Sequence, residues 1–160
     1  MPASSHWIID SPIGELTLVS RAGALVGIYM HEHRQARDVA AVGSRSDAAS
    51  TDAIIQLDQY FARERTHFEL PLAASGTAFQ QQVWRSLADI PYGETRTYAQ
   101  IAASIGRPSA VRAVGAANGR NPLSIVVPCH RVLGASGVLT GYAGGLSNKT
   151  TLLRLEGAID

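Results

Sequence analysis

A single cysteine, Cys129, stands in a chain of 160 residues. One thiol forbids an internal disulfide and any metal site built from several thiolates, which excludes disulfide-dense secreted scaffolds and the usual structural zinc patterns. Charge is sparse and balanced: 17% of residues are Asp, Glu, Lys or Arg and the formal net charge is +1, against 46% hydrophobic residues. That composition excludes a disordered chain. Long apolar runs are missing as well. The longest, residues 22–30, is too short to span a bilayer, and no basic side chain precedes Arg21, so no secretory signal is expected. A cytoplasmic protein without a membrane partner is the expectation, with room for one domain or for a small cap fused to one.

Five histidines are present, His6, His31, His33, His67 and His130, and none is spaced with acids as metal ligands are. His31 and His33 would share a face only in a strand. Neither a metal nor a cofactor is expected. The small net charge hides an asymmetry. Residues 1–80 hold six arginines against nine acids, whereas residues 81–160 hold seven arginines and Lys149 against four acids. A basic half of this kind steers toward phosphates, although ordinary solvated charge has the same composition.

The first thirty residues alternate and turn. Proline and glycine in Ser11-Pro12-Ile13-Gly14, and the Ala22-Gly23 pair, punctuate three β-favouring runs and predict a small antiparallel sheet. Residues 41–50 read as a loop. Ile54, Leu57 and Phe61 then recur at helical spacing behind Thr51-Asp52, predicting a helix packed on the sheet. Residues 65–72 read as a returning strand, and 73–76 as a linker. Two capping boxes follow, Thr77 with Gln80 and Thr97 with Gln100, each opening a helix. Ser109 is placed to cap a third, rich in small residues. Two short helices across Gly106-Arg107-Pro108 have the outline of a helix-turn-helix, an outline any αα-hairpin shares. Residues 124–128 read as a buried strand or extended segment, residues 134–145 as a glycine-rich loop, and a last helix runs from about Ser147 to Glu156. The fold class expected is α+β: an N-terminal cap, 1–72, of antiparallel sheet plus helix, joined to a mainly helical C-terminal domain, 77–160, with a helix-turn-helix.

Cys129 lies between a buried run and the basic pair His130-Arg131. A free cysteine is most often an inert small hydrophobe. A neighbouring His or Arg, however, lowers a thiol pKa from about 8.5 toward neutrality. Adjacent residues of a strand face opposite ways, so His130 serves Cys129 only if the chain turns there or a water bridges them. Such a histidine needs an acceptor for its other nitrogen, and Glu156 is one candidate. Read by itself, Glu156 is a solvated helix-end acid.

Pro128-Cys129-His130-Arg131, preceded by Asn121-Pro122 and followed by Gly141-Tyr142, Gly144-Gly145-Leu146, Leu152-Leu153 and Glu156-Gly157, resembles the active-site region of the O6-alkylguanine-DNA alkyltransferases. Upstream, Phe79, Val83, Trp84, Pro91, Gly93, Thr97-Tyr98, Ile101-Ala102 and Arg112-Ala113-Val114-Gly115-Ala116 fall in the family's order. The resemblance covers roughly residues 77–158, and the first half fits only as a cap carrying Asp10-Ser11-Pro12-Ile13-Gly14.

The resemblance implies a stoichiometric DNA repair enzyme that transfers an alkyl group irreversibly from O6 of guanine to Cys129 and is consumed in one turnover. His130 is then the base acting through a water, and Glu156 fixes the imidazole. Tyr98 donates to the modified base and crowds a phosphate, and Arg112 fills the stack when the base flips out. Ala113, Gly115 and Ala116 let the recognition helix approach the minor groove. Asn121 is the hinge between helix pair and active-site segment. Val132, Tyr142, Ala143 and Gly144 line the guanine pocket, with Ser124 and Thr140 at its lip. The implied partner is double-stranded DNA containing O6-alkylguanine, bound by a monomer with room for clustering along the duplex. Some family members hold a structural zinc in the cap, but the thiols for it are absent. Two rival readings remain: a non-catalytic damage sensor, which would lack the acceptor cysteine, and a cysteine-histidine hydrolase, which leaves Tyr98, Arg112 and the helix pair unexplained.

Overall fold

The computed structural model describes residues 4–31, 44–45, 51–142 and 144–160. Strands β1 (Ser4–Ile9), β2 (Leu16–Arg21) and β3 (Ala24–Met30) form an antiparallel meander. Its turns are those the prolines and glycines announced. Gly14 at φ 95° closes the first through its N–H to Ser11, and Ala22 and Gly23 at φ 52° and 82° close the second. The two-residue β4 (Ser44–Arg45) adds to β1 in parallel, so the sheet is not purely antiparallel and residues 41–50 are not all loop. His31 follows β3 in a turn, and His33 lies outside the described residues.

Helix α1 (Thr51–Phe61) packs on this sheet. Its buried face is Ala53, Leu57 and Tyr60, one step round from the Ile54–Leu57–Phe61 stripe, because the sheet supplies Leu16, Leu18 and Ile28 to that side. Gln56 on the same helix both donates to the Glu69 carbonyl (3.1 Å) and accepts from the Glu69 N–H (2.8 Å). The segment 65–72 is thereby held as an extended return rather than the expected strand. It meets β3 in a bridge of Leu25 with Leu72, in which Leu25 donates to the Pro71 carbonyl and accepts from the Ala73 N–H.

The second half is helical. Both capping boxes are formed, starting α2 (Ala78–Ala88) at Thr77 and α3 (Tyr98–Ser104) at Thr97. Helix α4 (Val111–Gly119) begins from Ala110, whose side chain makes no cap bond, one residue after the expected Ser109; the tight Gly106 turn (φ 75°) uses backbone bonds instead. Trp84 of α2 donates to the Ala117 carbonyl of α4 at 2.9 Å, locking the helix pair to the core. Helix α5 (Leu146–Leu155) ends the fold. Between α4 and Cys129 the expected strand is a coil of turns, in which Ile125 takes φ 75°. A β-branched side chain there costs about 1–2 kcal/mol. Asn121 holds the coil by donating to the Val127 carbonyl (2.8 Å) and accepting from the Leu123 N–H (3.0 Å). Among the described residues, no helix is long and apolar enough to cross a membrane.

Candidate active site

Cys129 opens a single 3-10 turn, Cys129–Arg131. The chain therefore does turn at the thiol, which was the condition for His130 to serve it. Immediately after, β6 (Val132–Leu133) pairs in parallel with β5 (Arg96–Thr97). That ladder sets Tyr98, the first residue of α3, beside the active-site segment. Cys129 and Tyr98 both face a cavity of about 30 Å³, shared with Gly115, Asn121, Ser124 and Tyr142. A water needs roughly 10–15 Å³ measured this way, so the cavity holds a water or two and must open to admit a purine. Thr140 donates to the Tyr98 hydroxyl at 3.3 Å across its lip.

Glu156 is not the solvated acid of an isolated reading. It caps the C-terminus of α5, is 5% exposed, and its carboxylate gathers four hydrogen bonds: from Arg131 Nε to Oε1 (2.8 Å), and to Oε2 from His130 Nε2 (2.7 Å), Arg131 (3.0 Å) and the Tyr60 hydroxyl (2.6 Å). Burial alone would raise this carboxyl; the bonds from His130 and Arg131, with the Arg131 charge, bring it down to about 2. His130 is fully buried, and burial holds its imidazole below the usual value against the pull of Glu156. With Nε2 committed to the carboxylate, the neutral tautomer leaves Nδ1 as a lone-pair acceptor, and Nδ1 has no hydrogen-bond partner among the described residues. Burial also raises the Cys129 thiol, opposed by Asn121, Tyr142 and Lys149. Such a thiol stays protonated at neutral pH until a base takes its proton.

Lys149 went unremarked in the sequence apart from its charge. Fully buried on the inner face of α5, it donates to the carbonyls of Val132 (2.6 Å) and Thr140 (3.3 Å), and burial brings its ammonium down to about 8. Its spacing of three and four residues from Leu152 and Leu153, on one helical face, is the available signal. Tyr60 and Arg131 were likewise unassigned. A guanidinium between His130 and Val132 in a buried run requires a buried acid, which Glu156 supplies.

Of the expected pocket residues, Tyr142 borders the cavity, whereas Val132 is buried and does not line it, its carbonyl taken by Lys149. Gly144 packs against Met30 of β3, where any Cβ would collide with the sulfur; Ala143 lies outside the described residues. Arg112, Ala113 and Ala116 share the exposed face of α4. A Cβ on Gly115 would touch nothing closer than Tyr98 at 3.9 Å, so internal packing does not demand glycine there. Among the described residues, no group of three or more His, Cys, Asp or Glu side chains could hold a metal ion.

The buried Cys129 thiol borders a cavity lined also by Tyr98 of α3 and Gly115 of α4, so it opens toward the helix-turn-helix. Two family profiles divide the chain: the 6-O-methylguanine DNA methyltransferase ribonuclease-like domain matches residues 6–74, and the DNA binding domain of the same name matches residues 78–158. A methylated-DNA–protein-cysteine methyltransferase of Mycobacterium leprae is 52% identical over 149 residues, covering 92% of this chain and 89% of that protein. The constitutive enzyme of that name from Bacillus subtilis is 44% identical, covering 92% of each chain. The crystal structure of Mycobacterium tuberculosis OGT in complex with DNA superposes with a TM-score of 0.90 at 49% identity, covering 96% of this chain and 93% of the other. The chain belongs to the 6-O-methylguanine DNA methyltransferase family.

Proposed function

We propose that this protein repairs alkylated duplex DNA by moving an alkyl group from O6 of guanine to Sγ of Cys129, once per molecule. The observation that carries the reading is the buried Cys129 thiol, raised by desolvation, next in chain to an imidazole whose Nδ1 has no hydrogen-bond partner among the described residues and whose Nε2 is held by Glu156 at 2.7 Å. His130 Nδ1 takes the thiol proton through one water. The thiolate attacks the alkyl carbon, the carbon–O6 bond breaks, and guanine leaves with the electron pair as Tyr98 supplies a proton. The thioether is stable, so no turnover follows.

The lesion is buried in the duplex and must be flipped out, at about a few kcal/mol, less for a weakened pair. Arg112 occupies the gap. Ala113, Gly115 and Ala116 form the close-approach face, for which the exposed small residues of α4 speak. Asn121 acts as the hinge, and main-chain groups near Val132, Tyr142 and Gly144 read the guanine. In this reading residues 1–72 and 77–160 are the two units, the protein works as a cytoplasmic monomer, and its partner is double-stranded DNA containing O6-alkylguanine.

The test is Cys129→Ser with a duplex carrying one O6-methylguanine: the variant retains binding and loses transfer. Transfer to Cys129→Ser protein would remove the assigned acceptor. Arg112→Ala keeps the acceptor and loses repair of duplex lesions while still accepting a methyl group from free O6-methylguanine base.

A further inference from the structure

Tyr60 lies on α1, 96 positions before Glu156, and is fully buried. Its ring is boxed by Phe61, Phe68 and Tyr92, with centroids 5.3, 5.5 and 6.3 Å away. Phenylalanine would fill the same space. Among the described residues the hydroxyl makes one hydrogen bond, the 2.6 Å donation to Glu156 Oε2, the same oxygen that holds His130 Nε2. The other donors to this carboxylate, His130 and Arg131, are neighbours on the 3-10 turn and move with it. Tyr60 is therefore the donor that ties the carboxylate to the first half of the chain.

We propose that Tyr60 is a positioning residue of the transfer site, through which the sheet-and-helix layer orients Glu156 on His130 and so serves the chemistry of Cys129 rather than DNA binding. The inference rests on the reading of Cys129 as acceptor and His130 as its base. Three donors on Oε2 divide the carboxylate's charge. Removing the phenol hydroxyl concentrates it on the imidazole, which then holds a proton more tightly, and releases one restraint on the carboxylate's orientation. The groups facing this dyad are Tyr60 from α1, Tyr92 from the loop after α2 with Arg63 behind it, Arg131 from the 3-10 turn, and Lys149 from α5. Burial and the Glu156 charge push the Tyr60 phenol well up, so it remains a donor throughout the working range.

The experiment is single-turnover methyl transfer from a duplex containing O6-methylguanine, at saturating DNA, between pH 5 and 9. Tyr60→Phe is expected to slow transfer about tenfold, a part of the roughly 10²–10⁴ that general-base catalysis supplies. Its duplex affinity stays at the wild-type value and the acid limb of its profile moves to higher pH. Ile54→Ala, on the same helix and away from Glu156, lowers stability without changing rate or profile. Fluorotyrosine at position 60, which keeps the shape and strengthens the donor, moves the acid limb the other way and covers the case in which Tyr60→Phe does not fold. Wild-type rate and profile in Tyr60→Phe, or an unmoved limb with fluorotyrosine, would overturn the proposal. Absence of transfer by the wild type would instead overturn the acceptor reading, and this inference with it.

Discussion

Arg131→Met removes the guanidinium that gives Glu156 two of its four hydrogen bonds, at 2.8 and 3.0 Å, and that donates to the Ile90 carbonyl at 2.7 Å. Methionine refills most of the stem volume, so the loss is chiefly electrostatic. Arg131 and Glu156 are 6% and 5% exposed, and water does not replace the lost partner. Breaking a buried ion pair from one side costs about 3–5 kcal/mol, a large share of the roughly 5–15 kcal/mol that holds a domain together. For a chain of this size that is a Tm lower by about 6–20 °C.

The pH dependence has a definite sign. The Glu156 carboxyl sits at about 2 in the fold against an ordinary 4.5, so its contribution, about 3 kcal/mol, is complete above 4.5 and disappears as pH falls toward 2. In Arg131→Met the native value rises, and less stability is lost over that window. The assay is urea unfolding followed by circular dichroism at several pH values, with unchanged m, in a cycle with Glu156→Gln and the double variant. The double variant is expected to cost about 2 kcal/mol less than the sum of the singles. A cost under about 1 kcal/mol for Arg131→Met, where buried pairs give 3–5, or strict additivity, would refute the reasoning.

Three further outcomes are expected. Because burial lowers His130, the wild-type transfer rate rises with pH along a limb centred below the ordinary histidine value near 6.5, and a limb centred at 7 or above in single-turnover measurements would contradict the buried neutral base. Lys149→Met strands the Val132 and Thr140 carbonyls, at about 1–3 kcal/mol for each buried group left unpaired; limited proteolysis within residues 134–145 should accelerate, and an unchanged cleavage rate would count against the tether. Gly144→Ala drives a Cβ into Met30 and lowers Tm by several degrees, a loss that is smaller in a chain already carrying Met30→Ala, whereas a neutral Gly144→Ala would deny the contact.

Local chemistry was legible where local chemistry decides. Thr77 and Thr97 announce their helices because the cap bond reaches only three residues, and Gly14 and Gly23 announce turns by the φ they adopt. Residues 124–128 are largely buried as their apolar run predicts, but they turn rather than run extended, because the Asn121 side chain holds the segment and Ile125 takes a conformation its own propensity opposes. At the site, Cys129, His130 and Glu156, with the cavity residues Tyr98, Asn121, Ser124 and Tyr142, could be picked out through the resemblance, but Tyr60, Arg131 and Lys149 could not. Tyr60 reads as one more apolar position of α1, and its meaning depends on an acid 96 residues away; Lys149 looks like surface charge until the inward face of α5 is seen.

The central claim is that Cys129 accepts the alkyl group, and the most direct test is intact mass. The protein is mixed with a duplex bearing one O6-methylguanine, with undamaged duplex as control, and any modified peptide is mapped. The account predicts a gain of one methylene equivalent, saturating at one per protein and located on Cys129. Tight binding to the lesion with no gain in mass, or a methyl group on any other residue, would contradict it.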